Sequence, residues 1–176
     1  GYMTDEDYEL YQSLIEACYM MKEKEKYRYQ TIAKRCNAIY KIQEEGLLPK
    51  INPDYASVKY REGEALHFAA SAKLMKLSGA NEKGLVISKD SPFRAGSLKD
   101  PSNGPWKEEI QGAFWITTER VGFRGKNTAF TLEIKDLDHA ELDRGPLRFF
   151  EKGKEIPEAV RIDDYEMAGA ILTNLF

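Results

Sequence analysis

The chain has 176 residues but only two histidines, His67 and His139, and two cysteines, Cys18 and Cys36. Metal sites and nucleophilic triads lean on these residue types, because imidazole and thiolate bind cations and move protons near neutral pH. Neither histidine has a cysteine or a second histidine at ligand spacing. Asp136, Asp138, His139 and Glu141 form the densest group of donors. On a strand, Asp136 and Asp138 would share a face with Ala140 while His139 points away with Leu137, so the group does not converge. No serine sits in a Gly-x-Ser-x-Gly elbow. GFRGKNT, residues 122–128, lacks the full spacing of a phosphate loop and lies between strands instead of ahead of a helix. Carboxylates abound, yet no isolated buried pair is identifiable. The expectation is a non-enzymatic chain with no catalytic, metal or cofactor residues and no cofactor.

Charge and aromatic residues point to binding instead. Arg120, Arg124 and Lys126, with Arg148, Lys152 and Lys154, fall near strand ends and turns. Gathered on one rim they would suit phosphorylated or acidic partners; the plainer reading is a scatter of solubilising charges. Arg120 is expected to pair with a turn carboxylate or to pack its stem. A net charge of −3 argues against a nucleic-acid coat, which needs broad phosphate neutralisation. The first segment is rich in tyrosine, at Tyr8, Tyr11, Tyr27, Tyr29 and Tyr40. Tyr8, Tyr11, Ile15, Tyr29 and Ile32 could form a helix interaction face, or they could dock onto the rest of the chain.

The elements that carry these residues follow from periodicity. Residues 2–45 contain neither Gly nor Pro. Tyr8, Tyr11, Ile15, Cys18, Tyr29, Ile32, Cys36 and Ile39 recur in steps of three and four, a helical seam. The seam lapses at KEKEK, residues 22–26, which leaves one long or kinked helix or a bent pair; the long or kinked helix is the expectation. Thr4 with Asp7 resembles a capping box, and Gly46 and Pro49 end the segment. On one straight helix the two cysteines lie beyond disulfide reach. Residues 47–63 read as an extended connector. From Leu66 the period becomes two, through Phe68, Ala70, Ala72 and Leu74. Weaker strands are expected at 84–88 and 92–98, with a turn at DPSNGP, residues 100–105.

In GAFWITTERVGFRG, residues 112–125, Phe114, Ile116, Val121 and Phe123 share one face if Thr118 and Glu119 make the turn. That register sets Trp115 opposite Gly122, an aromatic ring over bare backbone. Strands are expected again at 106–111, 129–135, 137–142, 146–151 and 159–162. A helix capped by Asp163, with Glu166 three residues on, closes the chain with the stripe Ala168, Ile171, Leu172 and Leu175. The order is helix, strand meander, helix without βαβ alternation, which is α+β.

Three stretches resemble a bacterial pleckstrin-homology-like or GRAM-like family of uncharacterised proteins. They are EGLLPKI with YREGEALHF (44–51 and 60–68), DSPFRAGSL (90–98), and GAFWITTERVGFRG, where Gly112, Trp115, Ile116, Thr117, Arg120, Val121 and Phe123 carry the pattern. The resemblance covers roughly residues 44–176 and includes no catalytic signature. It implies a PH-like antiparallel β-barrel capped by the C-terminal helix, with one barrel end binding phosphoinositides, peptides or proteins. Lipid-binding versions cluster basic residues between the first two strands; residues 76–83 offer only Lys76 and Lys83, with Glu82 between.

The expected organisation is a helical arm over 1–46, a connector over 47–63 and a PH-like barrel with its helix over 64–176. The expected partner is another protein or a second copy, with anionic membrane lipid as the alternative and no nucleic acid. Two cysteines and the lack of a membrane-length apolar run point to the cytoplasm. The Gly-Tyr-Met start reads as a cloning remnant or as a fragment whose membrane anchor could lie elsewhere.

Overall fold

The computed structural model describes residues 2–52, 58–77, 85–87, 90, 106–142, 146–154 and 156–176. It opens with α1 (Asp5–Ala17) and α2 (Glu23–Glu45). These are two antiparallel helices, not one long or kinked helix. Asp5, at the start of α1, meets Asn37 Nδ2 at 2.6 Å and Lys41 Nζ at 3.0 Å near the end of α2. Tyr2 sets its ring edge-on to Tyr40. The chain leaves the helix at Cys18, with φ −79° and ψ 87°. It restarts at Lys22, whose N–H donates to the Glu25 carboxylate three residues on. Part of the charged KEKEK run is therefore a helix start, not a solvated helix middle. Thr4 caps α1 as expected, its hydroxyl accepting from Asp7 N at 3.1 Å. Gly46 closes α2 in the left-handed region, φ 68°, where a side chain would be strained.

The strands are β1 (Leu66–Leu77), β2 (Leu85–Ile87), β3 (Trp106–Thr117), β4 (Arg120–Gly125), β5 (Ala129–Glu133), β6 (Leu137–Leu142), β7 (Leu147–Glu151) and β8 (Glu158–Arg161), followed by α3 (Tyr165–Leu175). All pairings are antiparallel, in the order β2-β6-β7-β8-β1-β3-β4-β5. The expected strand at 106–111 is the first half of β3. The expected strand at 92–98 and the turn at 100–105 lie outside the described residues.

The hairpin register matches the expectation: Phe114 faces Phe123, Trp115 faces Gly122 and Ile116 faces Val121. β1 joins two meanders. It pairs with β3 along its length but with β8 only at Lys73 and Leu74. Its register with β3 slips between Leu74 and Met75, the kind of irregularity that bends a sheet.

The sheet curls but does not close, so the expected barrel is corrected. Closure needs every strand paired on both sides. Among the described residues β2 and β5 remain edges. At the open corner the chain passes from β5 to β6 through a 3₁₀ turn at Ile134–Asp136, and the two strands do not pair.

Helix α3 fills the concave face. Ala168, Ala170, Ile171 and Leu172 share one core with Phe68, Phe114, Ile116, Phe123, Phe149 and Val160. Ile39 and Ile42 bring the end of α2 into that core. Two polar ties reinforce the contact. Arg35 Nε donates to Asp164 Oδ2 at 2.9 Å and Arg35 also meets Glu166 at 2.9 Å. Asn174 Nδ2 donates to the Ile42 carbonyl at 2.8 Å.

The cap of α3 is Asp164, one residue later than the sequence suggested, accepting from Met167 N at 3.1 Å. Asp164 serves two helices at once. Asp164→Ala should therefore cost about 1–2 kcal/mol in urea unfolding, whereas Asp163→Ala, at an exposed site, should stay within about 0.5 kcal/mol. Equal effects of the two changes would refute the assignment.

Candidate interaction surfaces

The β3–β4 turn carries the polar residues that most resembled a site. Thr-Glu is not a favoured two-residue turn, and side chains hold it instead. Thr117 Oγ1 accepts from Arg120 N at 2.9 Å and donates to Glu64. Arg120 grips the same carboxylate through Nε at 2.9 Å and Nη2 at 2.6 Å, and reaches the Lys59 carbonyl at 3.0 Å. The Glu64 side chain is 0% exposed. Burial alone would raise its carboxyl pKa. Arg120, the Thr117 hydroxyl and the Arg61 backbone N–H outweigh that and hold it at about 2. The Arg120 guanidinium also lies 5.6 Å from the Trp115 ring centre. Beside this pair, Arg61 bridges Glu119 at 3.0 Å and Glu133 at 2.5 Å. His67 is buried between the Pro49 carbonyl, 2.6 Å, and Thr118 Oγ1, 3.1 Å. Together these contacts strap the connector onto the outer face of the sheet, where Ile51, Val58 and Tyr60 pack on Leu66 and Trp115. The strap is structural.

The six basic residues do not share one rim. Arg120 is committed to Glu64, and Arg148 is buried, with Glu141 at 2.8 Å and its guanidinium over Phe150. Arg124 and Lys126 stand at the far end of β4 from the Thr118–Glu119 turn. Lys152 lies at the near end, sharing a groove with Thr118 and Glu119. Lys154 meets Glu151 at 2.5 Å. The segment carrying Lys83, and the side chain of Lys76, fall outside what is described.

A groove of about 650 Å³ opens at the unclosed corner, lined by Arg61, Glu119, Glu133, Lys135, Lys152 and Phe176 among others. Its charges are largely answered internally: Arg61 by the two glutamates, and Lys152 by the Lys135 carbonyl at 2.7 Å. His139 stacks on Phe150 at 4.4 Å and takes Asp138 at 2.7 Å. Among the described residues no three His, Cys, Asp or Glu side chains form a metal-binding group, and no helix is long and apolar enough to cross a membrane. Both cysteines are free.

The helical arm offers a different surface. Of the suggested interaction face, Tyr8 and Tyr11 are half-buried and Ile15 is buried, on the side of α1 that meets α2. Tyr29 and Ile32 stand outside, 40% and 46% exposed. The sequence reading missed Leu10 and Leu14, 62% and 59% exposed. At about 100° per residue, Leu10 and Leu14 sit to one side of Ile15, and Tyr29 and Ile32 to the same side of Ala33. The antiparallel hairpin therefore gathers two leucines, an isoleucine and a tyrosine on one face. The signal was present in the i, i+4 spacing of Leu10 and Leu14 off the main seam. Tyr19 and Met20, also exposed, crown the turn.

No family model and no curated protein matches this chain. Among solved structures, a Vps36 N-terminal PH domain aligns over 71% of this chain and 86% of its own, at 14% identity and a TM-score of 0.40.

Proposed function

We propose that this chain is a non-enzymatic, PH-like binding module for another protein, and that the outer half of its helical hairpin is the working surface. The observation that carries the reading is the face of Leu10, Leu14, Tyr29 and Ile32, exposed on one side of the arm. Large apolar side chains grouped on a protruding element are costly to leave in water and mark association sites. The PH-like assignment draws on the order of elements: two antiparallel meanders joined through a long first strand, with a C-terminal helix in their concavity.

Peripheral binding to anionic membranes through the basic turns is the competing reading. Three of the six cations are held in ion pairs, Arg120 by Glu64, Arg148 by Glu141 and Lys154 by Glu151, and Arg124 with Lys126 stand away from Lys152, which leaves little concentrated positive charge for a lipid surface. The test is photo-crosslinking in cells of the source organism, with benzoyl-phenylalanine placed at Leu14 and, as control, at Lys126. Adducts of protein mass from position 14 and not from position 126 are expected. Adducts from position 126 alone, together with co-sedimentation on anionic vesicles that fades with salt, would overturn the reading in favour of the membrane.

A further inference from the structure

We infer that β5 pairs with β5 of a second copy across a two-fold axis, joining two curled sheets into one. The contact is made by the sheet and does not depend on what the helical hairpin binds. Bonding between β4 and β5 fixes which backbone groups are left for it. Gly125 N donates to the Thr128 carbonyl at 2.8 Å, and Ile134 N to the Glu119 carbonyl at 2.8 Å. Antiparallel pairs alternate between bonded and non-bonded positions. Between these two bonds Phe130 and Leu132 therefore turn their N–H and C=O groups to β4, while Ala129, Thr131 and Glu133 turn theirs outward. No strand among the described residues meets that outer side, and Ala129 and Thr131 are exposed.

Such an edge templates another strand unless it is short, bulged, or interrupted by Pro or charge. The opposite edge, β2, is three residues long. β5 pairs with β4 without a bulge. Residues 127–134 hold a single charge, Glu133, and Arg61 already neutralises it. Self-complementarity selects the occupant, because an isologous contact uses the same patch on both sides. Centred on Thr131, the antiparallel register sets Thr131 against Thr131 and Ala129 against Glu133, and every outward backbone group of the strand finds a partner. Moving the centre to Phe130 or Leu132 leaves Glu133 or Ala129 opposite a residue outside the strand. In the Thr131 register no like charges face one another. On the inner side Phe130, half-buried at the margin of the core and stacked on Phe123, meets Leu132 of the second copy. That cross-strand apolar contact is made twice.

A strand this short makes a small interface, so association is expected over about 0.1–1 mM. Light scattering of the purified full chain should show its mass rising towards twice that of one chain over this range. Amide exchange read by NMR locates the contact. Ala129, Thr131 and Glu133 should slow about tenfold when nine-tenths of the chain is paired, while Phe130 and Leu132 stay protected at every concentration. Thr131→Lys and Thr131→Glu, at an exposed site, should each remain folded and monomeric, because each side chain faces its own copy across the axis. Mixed in equal amounts, the two variants should recover the dimer. A chain that stays monomeric at about 1 mM, a dimer whose outward amides exchange unchanged, or folded variants that do not recover on mixing overturns the inference. The first of these leaves the edge to a strand from another protein. So small a contact is sparsely populated at micromolar concentration, and a crosslink from position 126 of twice the chain mass identifies it, which keeps the test of the hairpin face separate.

Discussion

Arg120→Met should destabilise the chain by about 3–5 kcal/mol, read as a lower urea midpoint with little change in slope. The size follows from what remains. The Glu64 carboxylate has no exposed surface, so the variant leaves a buried charge with the Thr117 hydroxyl and the Arg61 backbone N–H as its remaining partners. Glu64→Gln added to Arg120→Met should recover much of the loss, because a neutral amide costs less to bury. The pH dependence separates this mechanism from simple loss of packing. In the wild type the folded carboxyl titrates at about 2, below its ordinary 4.5. Its contribution is therefore complete above pH 4.5 and is lost as pH falls from there towards 2. Without Arg120 the dominant remaining influence on Glu64 is burial, which raises the pKa, so acidification relieves the variant. The deficit between variant and wild type should narrow as pH falls through this range. A deficit that stays constant from neutral pH to pH 3 would show that the guanidinium acts only by filling space. Release of the connector should also wet Trp115, shifting its emission to longer wavelength.

Local signals explain what was legible in the sequence. The β3–β4 register could be read because alternation is an internal property of the two strands: Phe114, Ile116, Val121 and Phe123 can face one way in only one pairing. The cap at Thr4 and the αL stop at Gly46 are likewise decided within one turn of helix. The break between α1 and α2 was misplaced because it uses neither Gly nor Pro. Cys18 simply leaves the helix, and Lys22 restarts it with a backbone bond to Glu25.

Non-local geometry explains the rest. Whether a curled sheet closes depends on tilt and shear accumulated over all its strands, and no single stretch carries that sum; the open corner at Ile134–Asp136 was invisible for that reason. Glu64 and Arg120 are 56 residues apart, so the reading that Arg120 takes a carboxylate was reachable but its partner was not. The interaction face divided along the same line. Tyr29 and Ile32 belonged to a visible helical period, whereas the side they share with Leu10 and Leu14 exists only once two helices are laid antiparallel.

The other large effect is expected at Gly122, where local legibility and tertiary packing meet. A Cβ built there would lie 2.1 Å from Trp115 Cζ2 and 2.6 Å from Cε2 and Cη2, far inside contact distance. The indole cannot step aside cheaply. It is buried, with Leu66, Val58 and Tyr60 packed in the same cluster and the Arg120 guanidinium over its ring. Gly122→Ala should therefore cost about 3 kcal/mol, lowering Tm by roughly 6–12 °C for a chain of this size. Backbone strain is not the cause, since Gly122 is not among the glycines with positive φ; the cost is the clash with the ring. Trp115→Ala alone should also be severe, about 3–5 kcal/mol, through the cavity it leaves. The double variant separates the two costs. Once the ring is gone the added methyl has room, so Trp115→Ala with Gly122→Ala should be no less stable than Trp115→Ala alone, a coupling of about 3 kcal/mol in a double-mutant cycle. Additive losses in that cycle would mean that Gly122 is required for some other reason, and the pairing of ring over bare backbone would no longer account for the hairpin.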